Sequence, residues 1–324
     1  MKAAAQNFTP NGANGGRTSL FRAVLAMAYY ITAASGLTIL NKSIFSSFGF
    51  RYPLVLVEAQ LLCTLGLFEL LTRCHALQRP TWSFASASKM LPLVGSYLVM
   101  LLSGMFGLQN TTLVIYNTLR RTTVAFVLVL EYFILNVFPT LPTLCCVLAM
   151  TLGATWAGLV DSTFDLYGYV MIFVANVSSA LYVVYARQVK QTSAWSNTDI
   201  LYLNSLFSAP LVLGFVLWRG ELTQLYRMGI GAYPWSFYLI FALACLMGFI
   251  INHSIFYNTN TNSPLTQTIS AQVKDVILLV ASAPFDGTKA ISENLVGILI
   301  SLLGSVAYSI IKYREHRALT EERH

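Results

Sequence analysis

Charge is what this sequence has least of. Only 10% of its 324 residues are Asp, Glu, Lys or Arg, against about 25% in a soluble domain. That shortage excludes a solvated globular fold. The formal net charge of +7 is gathered into no basic cluster, so no nucleic-acid surface is expected. Cysteine is sparse as well. Cys63, Cys74, Cys145, Cys146 and Cys245 stand in no metal-ligand or redox spacing, and His253 has no partner pattern that would make it a ligand. The chain has no phosphate-binding glycine loop, zinc motif or nucleophile–base pair. An enzyme and an ATP-driven pump are therefore not indicated, and no cofactor or metal is expected.

What is present is apolar. The chain is 56% hydrophobic, with a mean hydropathy of +0.63. Runs of about 20 apolar residues recur along its whole length, as bilayer crossings require. Ten spans are read at 20–40, 53–71, 91–110, 114–135, 142–160, 167–186, 199–218, 233–257, 264–284 and 292–311. Residues 1–19 read as a disordered arm without a signal-peptide core, and 312–324 as a mixed-charge tail. The acceptor-like triplets at Asn7, Asn41, Asn110, Asn176 and Asn252 mostly fall in or beside spans, where glycosylation is not expected.

With both termini cytosolic, twelve of the 20 basic residues fall on the cytosolic side and five opposite. The remaining three, Arg120, Arg121 and Lys274, lie at membrane depth, where a charge costs roughly 2.5–3.5 kcal/mol. Spans four and nine each begin after a polar stretch, QNTT at 109–112 and NTNTNSP at 258–264. Both carry their cation at a similar depth. They are five spans apart, the separation of a five-plus-five repeat. With an odd number of spans in each half, that repeat must be inverted, the arrangement that places a transporter's substrate near the midplane.

Helical spacing puts Gln267, Ser270, Lys274 and Ser282 on one stripe of span nine, with Ile269, Val273, Val276 and Val280 opposite. Asn117 lies one turn above Arg120 and Arg121. Two cation-bearing polar stripes point to a wet, positive cavity suited to a phosphate-bearing anion. The alternative is structural pairing with Glu58, Glu69, Glu131 or Asp275. Lys274 and Asp275, as sequence neighbours, are not expected to face each other. Tyr29, Tyr30, Tyr182 and Tyr185 are further aromatic candidates, with packing as their alternative role. Asn41 and Lys42 either guide substrate or cap a helix. Ser103 with Gly107, Gly153 with Ala157, and Gly297 with Gly304 read as helix-contact surfaces.

Three stretches carry a family resemblance: LTILNKSIFSSFGFRYPLVLVEAQ at 37–60, YNTLRRTTVAFVLVLE at 116–131, and LGATWAGLVDSTFDLYGYVMIFVANVSSALYVVYARQ at 152–188. From about residue 22 to 312 the chain resembles a nucleotide-sugar transporter of the drug/metabolite transporter superfamily. In the GDP-mannose branch of that family a seventh-span motif, FYNN, contacts the base. Its matching stretch here is Tyr202, Leu203, Asn204 and Ser205. A ninth-span motif, GALNK, contacts sugar and phosphate, and its match is Ser270, Ala271, Gln272, Val273 and Lys274. The lysine is kept while the leading glycine and the asparagine are not, which favours the UDP-sugar branch over the GDP-mannose branch.

The resemblance and the charges together give an all-α membrane protein of ten transmembrane helices in two inverted five-helix repeats (20–160 and 161–311). The implied activity is antiport of a UDP-sugar, such as UDP-GlcNAc or UDP-galactose, from cytosol to Golgi lumen against a nucleoside monophosphate. Membrane lipid surrounds it, the endoplasmic reticulum is the second location, and the oligomeric state is open between monomer and homodimer. Alternatives are a GDP-sugar transporter, a triose-phosphate-type exchanger, and a non-transporting membrane scaffold.

Overall fold

The structure is a computed structural model that describes residues 13–75, 84–135, 138–192, 195–229, 233–261 and 264–321. These residues form twelve helices and no strand: α1 (Ala13–Ser46), α2 (Pro53–Arg73), α3 (Phe84–Asn110), α4 (Leu113–Arg120), α5 (Thr123–Leu135), α6 (Leu141–Val160), α7 (Leu166–Thr192), α8 (Asn197–Arg219), α9 (Glu221–Met228), α10 (Trp235–Thr261), α11 (Pro264–Ala281) and α12 (Ala283–Glu321). Among them, nine stretches are long and apolar enough to cross a membrane. The ninth expected span, α11, is not one of the nine. Lys274, Asp275 and a polar first half lower its hydropathy, although 18 residues rise about 27 Å. α1 begins at Ala13, inside the stretch expected to be an unstructured arm, and α12 runs on through most of the expected tail.

Local chemistry sets several boundaries. Pro53 occupies the start of α2, where its missing N–H costs nothing. Ser196 and Asp199 form a reciprocal capping box at the start of α8. Gly220, at φ 66°, ends α8 and begins α9, a left-handed corner that a side chain would strain.

The fourth span differs from expectation. It is not one helix: the chain turns at Arg121 and Thr122 and divides into α4 and α5. Thr122 Oγ1 donates to the Leu119 carbonyl at 2.9 Å, and Thr123 Oγ1 to the Arg120 carbonyl at 2.7 Å. Such back-bonding bends apolar helices.

Helices in lipid gain little from apolar burial and associate through close packing. The small-residue surfaces behave accordingly. Gly107 of α3 lies against Ile172 of α7, and Gly153, Gly297 and Gly304 bring the backbones of α6 and α12 together. α1 packs on α10 and α11, α2 on α8 and α10, and α5 on α7.

One end of the bundle is tied together by polar contacts. The Lys42 ammonium donates to the Leu108 carbonyl at 3.3 Å and to the Thr111 carbonyl, capping the end of α3. Glu221 Oε2 accepts from the N–H groups of Leu54 (3.1 Å) and Val55 (3.3 Å), so α9 caps α2. Arg219 lies over the Phe106 ring at 5.3 Å, and Tyr233 stacks on Phe237 at 4.3 Å. Burial pushes the Glu221 carboxyl up from its ordinary value. The two amides and Arg219 pull the other way without cancelling it.

Candidate functional site

The break in span four aims two consecutive arginines at different neighbours. Arg120 Nη1 donates to Asn176 Oδ1 at 3.1 Å and to Ser179 Oγ at 2.9 Å, both on α7. Arg121 Nε meets Asp275 Oδ2 of α11 at 3.1 Å. The other oxygen of the same carboxylate, Oδ1, lies 3.1 Å from Lys274 Nζ. Two cations, Arg121 and Lys274, thus converge on one buried acid, and Arg120 turns instead to α7.

The pairing of Lys274 with Asp275 corrects the sequence expectation. Adjacent Cβ atoms on a helix do point apart, but the lysine's four-carbon stem lets the ammonium swing back across the helix surface. Asp275 is therefore the structural partner among the four acids considered. Glu69 pairs with Arg73 instead, and the side chain of Glu131 lies outside the described residues. Glu58 is buried with neither carboxylate oxygen partnered. Breaking a buried ion pair by removing one member costs roughly 3–5 kcal/mol, so Asp275 and Arg121 hold each other in place.

Two features show that the cations are not fully spent on Asp275. Arg121 Nη1 is buried without a hydrogen-bond partner. The Lys274 side chain keeps 23% exposure, against 5% for Arg121 and 10% for Asp275. Tyr30 of α1 and Arg120 both lie within electrostatic reach of Lys274. Ser270 and Ser282 are buried on the lysine's stripe while Val273, Val276 and Val280 are exposed, as the helical spacing requires. The side chains of Gln267, Ile269 and Gln272 lie outside the described residues.

Sequence reasoning missed the residue that organises the break, Asn176. Its amide nitrogen donates to the Leu119 carbonyl and to Thr122 Oγ1, both at 2.9 Å. Its oxygen accepts from Arg120 at 3.1 Å and lies 3.0 Å from Thr123 Oγ1. Both N–H donors and the oxygen of the amide are used at one joint. A polar residue inside the apolar run VMIFVANVSSALYVV was the available signal.

The remaining candidates are dispersed. Asn117 donates to the Leu113 carbonyl of its own helix at 2.9 Å. Tyr182 packs on Tyr97 with ring centroids 5.5 Å apart, and Tyr185 rests on the same apolar core. Tyr202 meets Phe68 edge-on at 5.6 Å. Asn204 and Ser205 are fully buried, and neither polar atom of the Asn204 amide has a partner. Asn41 accepts from Gln60 Nε2 at 2.9 Å, beside the capping Lys42. A cavity of about 570 Å³ lies at the tied end, lined by Phe50, Leu222, Tyr226, Tyr233, Phe237 and Phe241 among others. It holds none of the three cations and is too apolar for an anion.

Sequence comparison decides the family. Residues 21–309 match the profile described as the Triose-phosphate Transporter family. The chain belongs to that family. It is a transporter by family, not an enzyme. The chain is 29% identical over 309 residues to the UDP-N-acetylglucosamine transporter UGNT1 of Arabidopsis thaliana, covering 90% of this chain and 88% of that protein. It is 26% identical over 300 residues to the UDP-sugar transporter sqv-7 of Caenorhabditis elegans, covering 92% and 91%. The GDP-fucose transporter 1 of Dictyostelium discoideum is 26% identical over 306 residues, covering 92% and 83%. A solved crystal structure overlays with a TM-score of 0.52 at 12% identity, across 91% of this chain and 98% of that one, a likeness of fold alone.

Proposed function

We propose that this transporter carries a UDP-sugar across the Golgi membrane in exchange for a nucleoside monophosphate. The observation that carries this reading is the convergence of Arg121 and Lys274, from two separate helical segments, on one buried carboxylate. Buried cations with donors to spare suit a diphosphate and a monophosphate alike. The printed names of the relatives support the nucleotide-sugar class, and the changed ninth-span motif supports a UDP-sugar over GDP-mannose.

The same reading makes α11 a tenth crossing and the chain two inverted repeats with both termini cytosolic. The first half is then α1, α2, α3, α4–α5 and α6, and the second α7, α8, α10, α11 and α12. Helix pairings support it. α3 packs on α7 as α1 packs on α10, and α5 on α7 as α1 on α11, while α2–α8 and α6–α12 pair equivalent helices. The Arg121–Asp275 contact joins the broken fourth span to its equivalent, the continuous α11. With this orientation the tied end faces the lumen.

In this scheme Lys274, Arg120 and Arg121 neutralise phosphate, and Ser270 and Gln272 meet sugar hydroxyls. Tyr202, Asn204 and Ser205 read the base, for which the unspent Asn204 amide is chemically suited. Tyr182 and Tyr185 flank the path, and Asn41 with Lys42 hold its luminal end. The test is uptake of labelled UDP-GlcNAc, UDP-galactose, GDP-sugars and triose phosphates by liposomes holding the purified protein. Uptake of a UDP-sugar stimulated by trapped UMP is expected. Equal uptake into empty liposomes contradicts exchange, and competition by three-carbon phosphates alone identifies a triose-phosphate exchanger.

A further inference from the structure

We infer that Asp275 is an internal stand-in for the substrate's phosphate, a latch that the incoming anion must displace. The inference rests on the anion-exchange reading of the same site. Both oxygens of the carboxylate are engaged, Oδ1 by Lys274 and Oδ2 by Arg121, each at 3.1 Å. A carboxylate and a phosphate present the same pair of oxygens to a guanidinium. The cations that would hold substrate are therefore themselves held by an acid of the protein.

A second, independent observation supports replacement over a closed structural pair. Arg121 Nη1 is buried with no acceptor, so Asp275 satisfies only part of the guanidinium. An anion with more oxygens can use the remaining donor as well as those Asp275 occupies. Asp275 also ties α11 to the joint between α4 and α5. While it does so, the broken fourth span and α11 are locked together. An anion that takes over Arg121 and Lys274 releases the tether, so loading and movement become one event. An empty carrier keeps the latch and reorients slowly, which gives exchange without any further gate.

The experiment uses the full-length protein with UMP as probe, in binding and in liposome uptake. Asp275→Asn removes the competing charge at constant shape. UMP is expected to bind about fivefold more tightly or better, the range of an ordinary coupling between sites. UDP-sugar uptake is expected to lose its dependence on trapped UMP. Because Asp275→Asn leaves Arg121 buried beside a neutral side chain, Arg121→Gln/Asp275→Asn is the second variant. It keeps the net charge and leaves no lone buried guanidinium. Arg121 is itself lost from the site, so uptake is expected to fall. The uptake that remains through Lys274 and Arg120 is expected to lose the dependence on trapped UMP. UMP affinity no tighter than wild type in Asp275→Asn, or wild-type dependence on trapped UMP in the double variant, overturns the latch. Wild-type protein that binds neither UMP nor a UDP-sugar overturns the underlying exchange reading instead.

Discussion

Gly153 of α6 and Gly297 of α12 touch through their backbones. A Cβ placed on Gly153 would stand 2.5 Å from the Ser301 nitrogen and 2.7 Å from the Gly297 carbonyl oxygen. A Cβ on Gly297 would meet the Gly153 carbonyl oxygen at 2.6 Å. Neither obstacle is the end of a flexible side chain, so the helices themselves must separate.

Gly153→Ala is therefore expected to lower the thermal midpoint in detergent by an amount equivalent to about 1–3 kcal/mol of overpacking. Gly214 of α8 is the matched control, since nothing lies within 4 Å of its added Cβ. Gly214→Ala is expected to leave stability unchanged or raise it by about 0.5–1 kcal/mol through backbone entropy. Thermal unfolding of both variants checks the contrast.

Asn176→Ala should loosen the joint in span four. It removes both donors and the acceptor oxygen of the amide, leaving the Leu119 carbonyl and Arg120 short of a partner. Each buried group so orphaned costs about 1–3 kcal/mol. A lower thermal midpoint together with slower uptake is expected. Normal stability and normal uptake would show that the threonines alone hold the break.

Glu221 gives a pH dependence whose sign is fixed. Its folded pKa is raised above the ordinary 4.5 chiefly by burial. The folded state therefore keeps the proton longer than the unfolded chain, and stability from this group is lost as pH rises from 4.5 through the folded value. Glu221→Gln keeps a carbonyl acceptor for the Leu54 and Val55 amides without the buried charge. Its stability advantage over wild type should grow as pH rises through that window. Glu221→Ala loses the cap itself, at a cost of about 1 kcal/mol. Unfolding curves for the three proteins between acid and neutral pH provide the measurement.

Much of this architecture is legible in the sequence, because apolar runs and small residues carry their own physical meaning. Gly153 with Ala157 and Gly297 with Gly304 marked two contact surfaces, though not that they meet each other, and the polar stripe through Ser270 and Ser282 showed which side of α11 is buried. The site itself was legible only in part. Lys274 stood out as a charge in an apolar run, but its grip on Asp275 depends on side-chain reach rather than Cβ direction. Arg121 and Asp275 are separated by 154 residues, and only the packed bundle makes them neighbours. The break in span four is held by Asn176 from another helix as well as by the span's own Thr122 and Thr123, so span four alone carries only part of the signal.

The most direct measurement is calorimetric titration of wild type and Lys274→Ala with UMP and with a UDP-sugar. Losing the lysine leaves Arg121 and Asp275 paired one to one, so the fold is expected to persist with a near-normal thermal midpoint. The account predicts binding of both ligands weakened about tenfold or more, the loss of a charge-assisted contact. A folded Lys274→Ala protein that binds both ligands as tightly as wild type would contradict it.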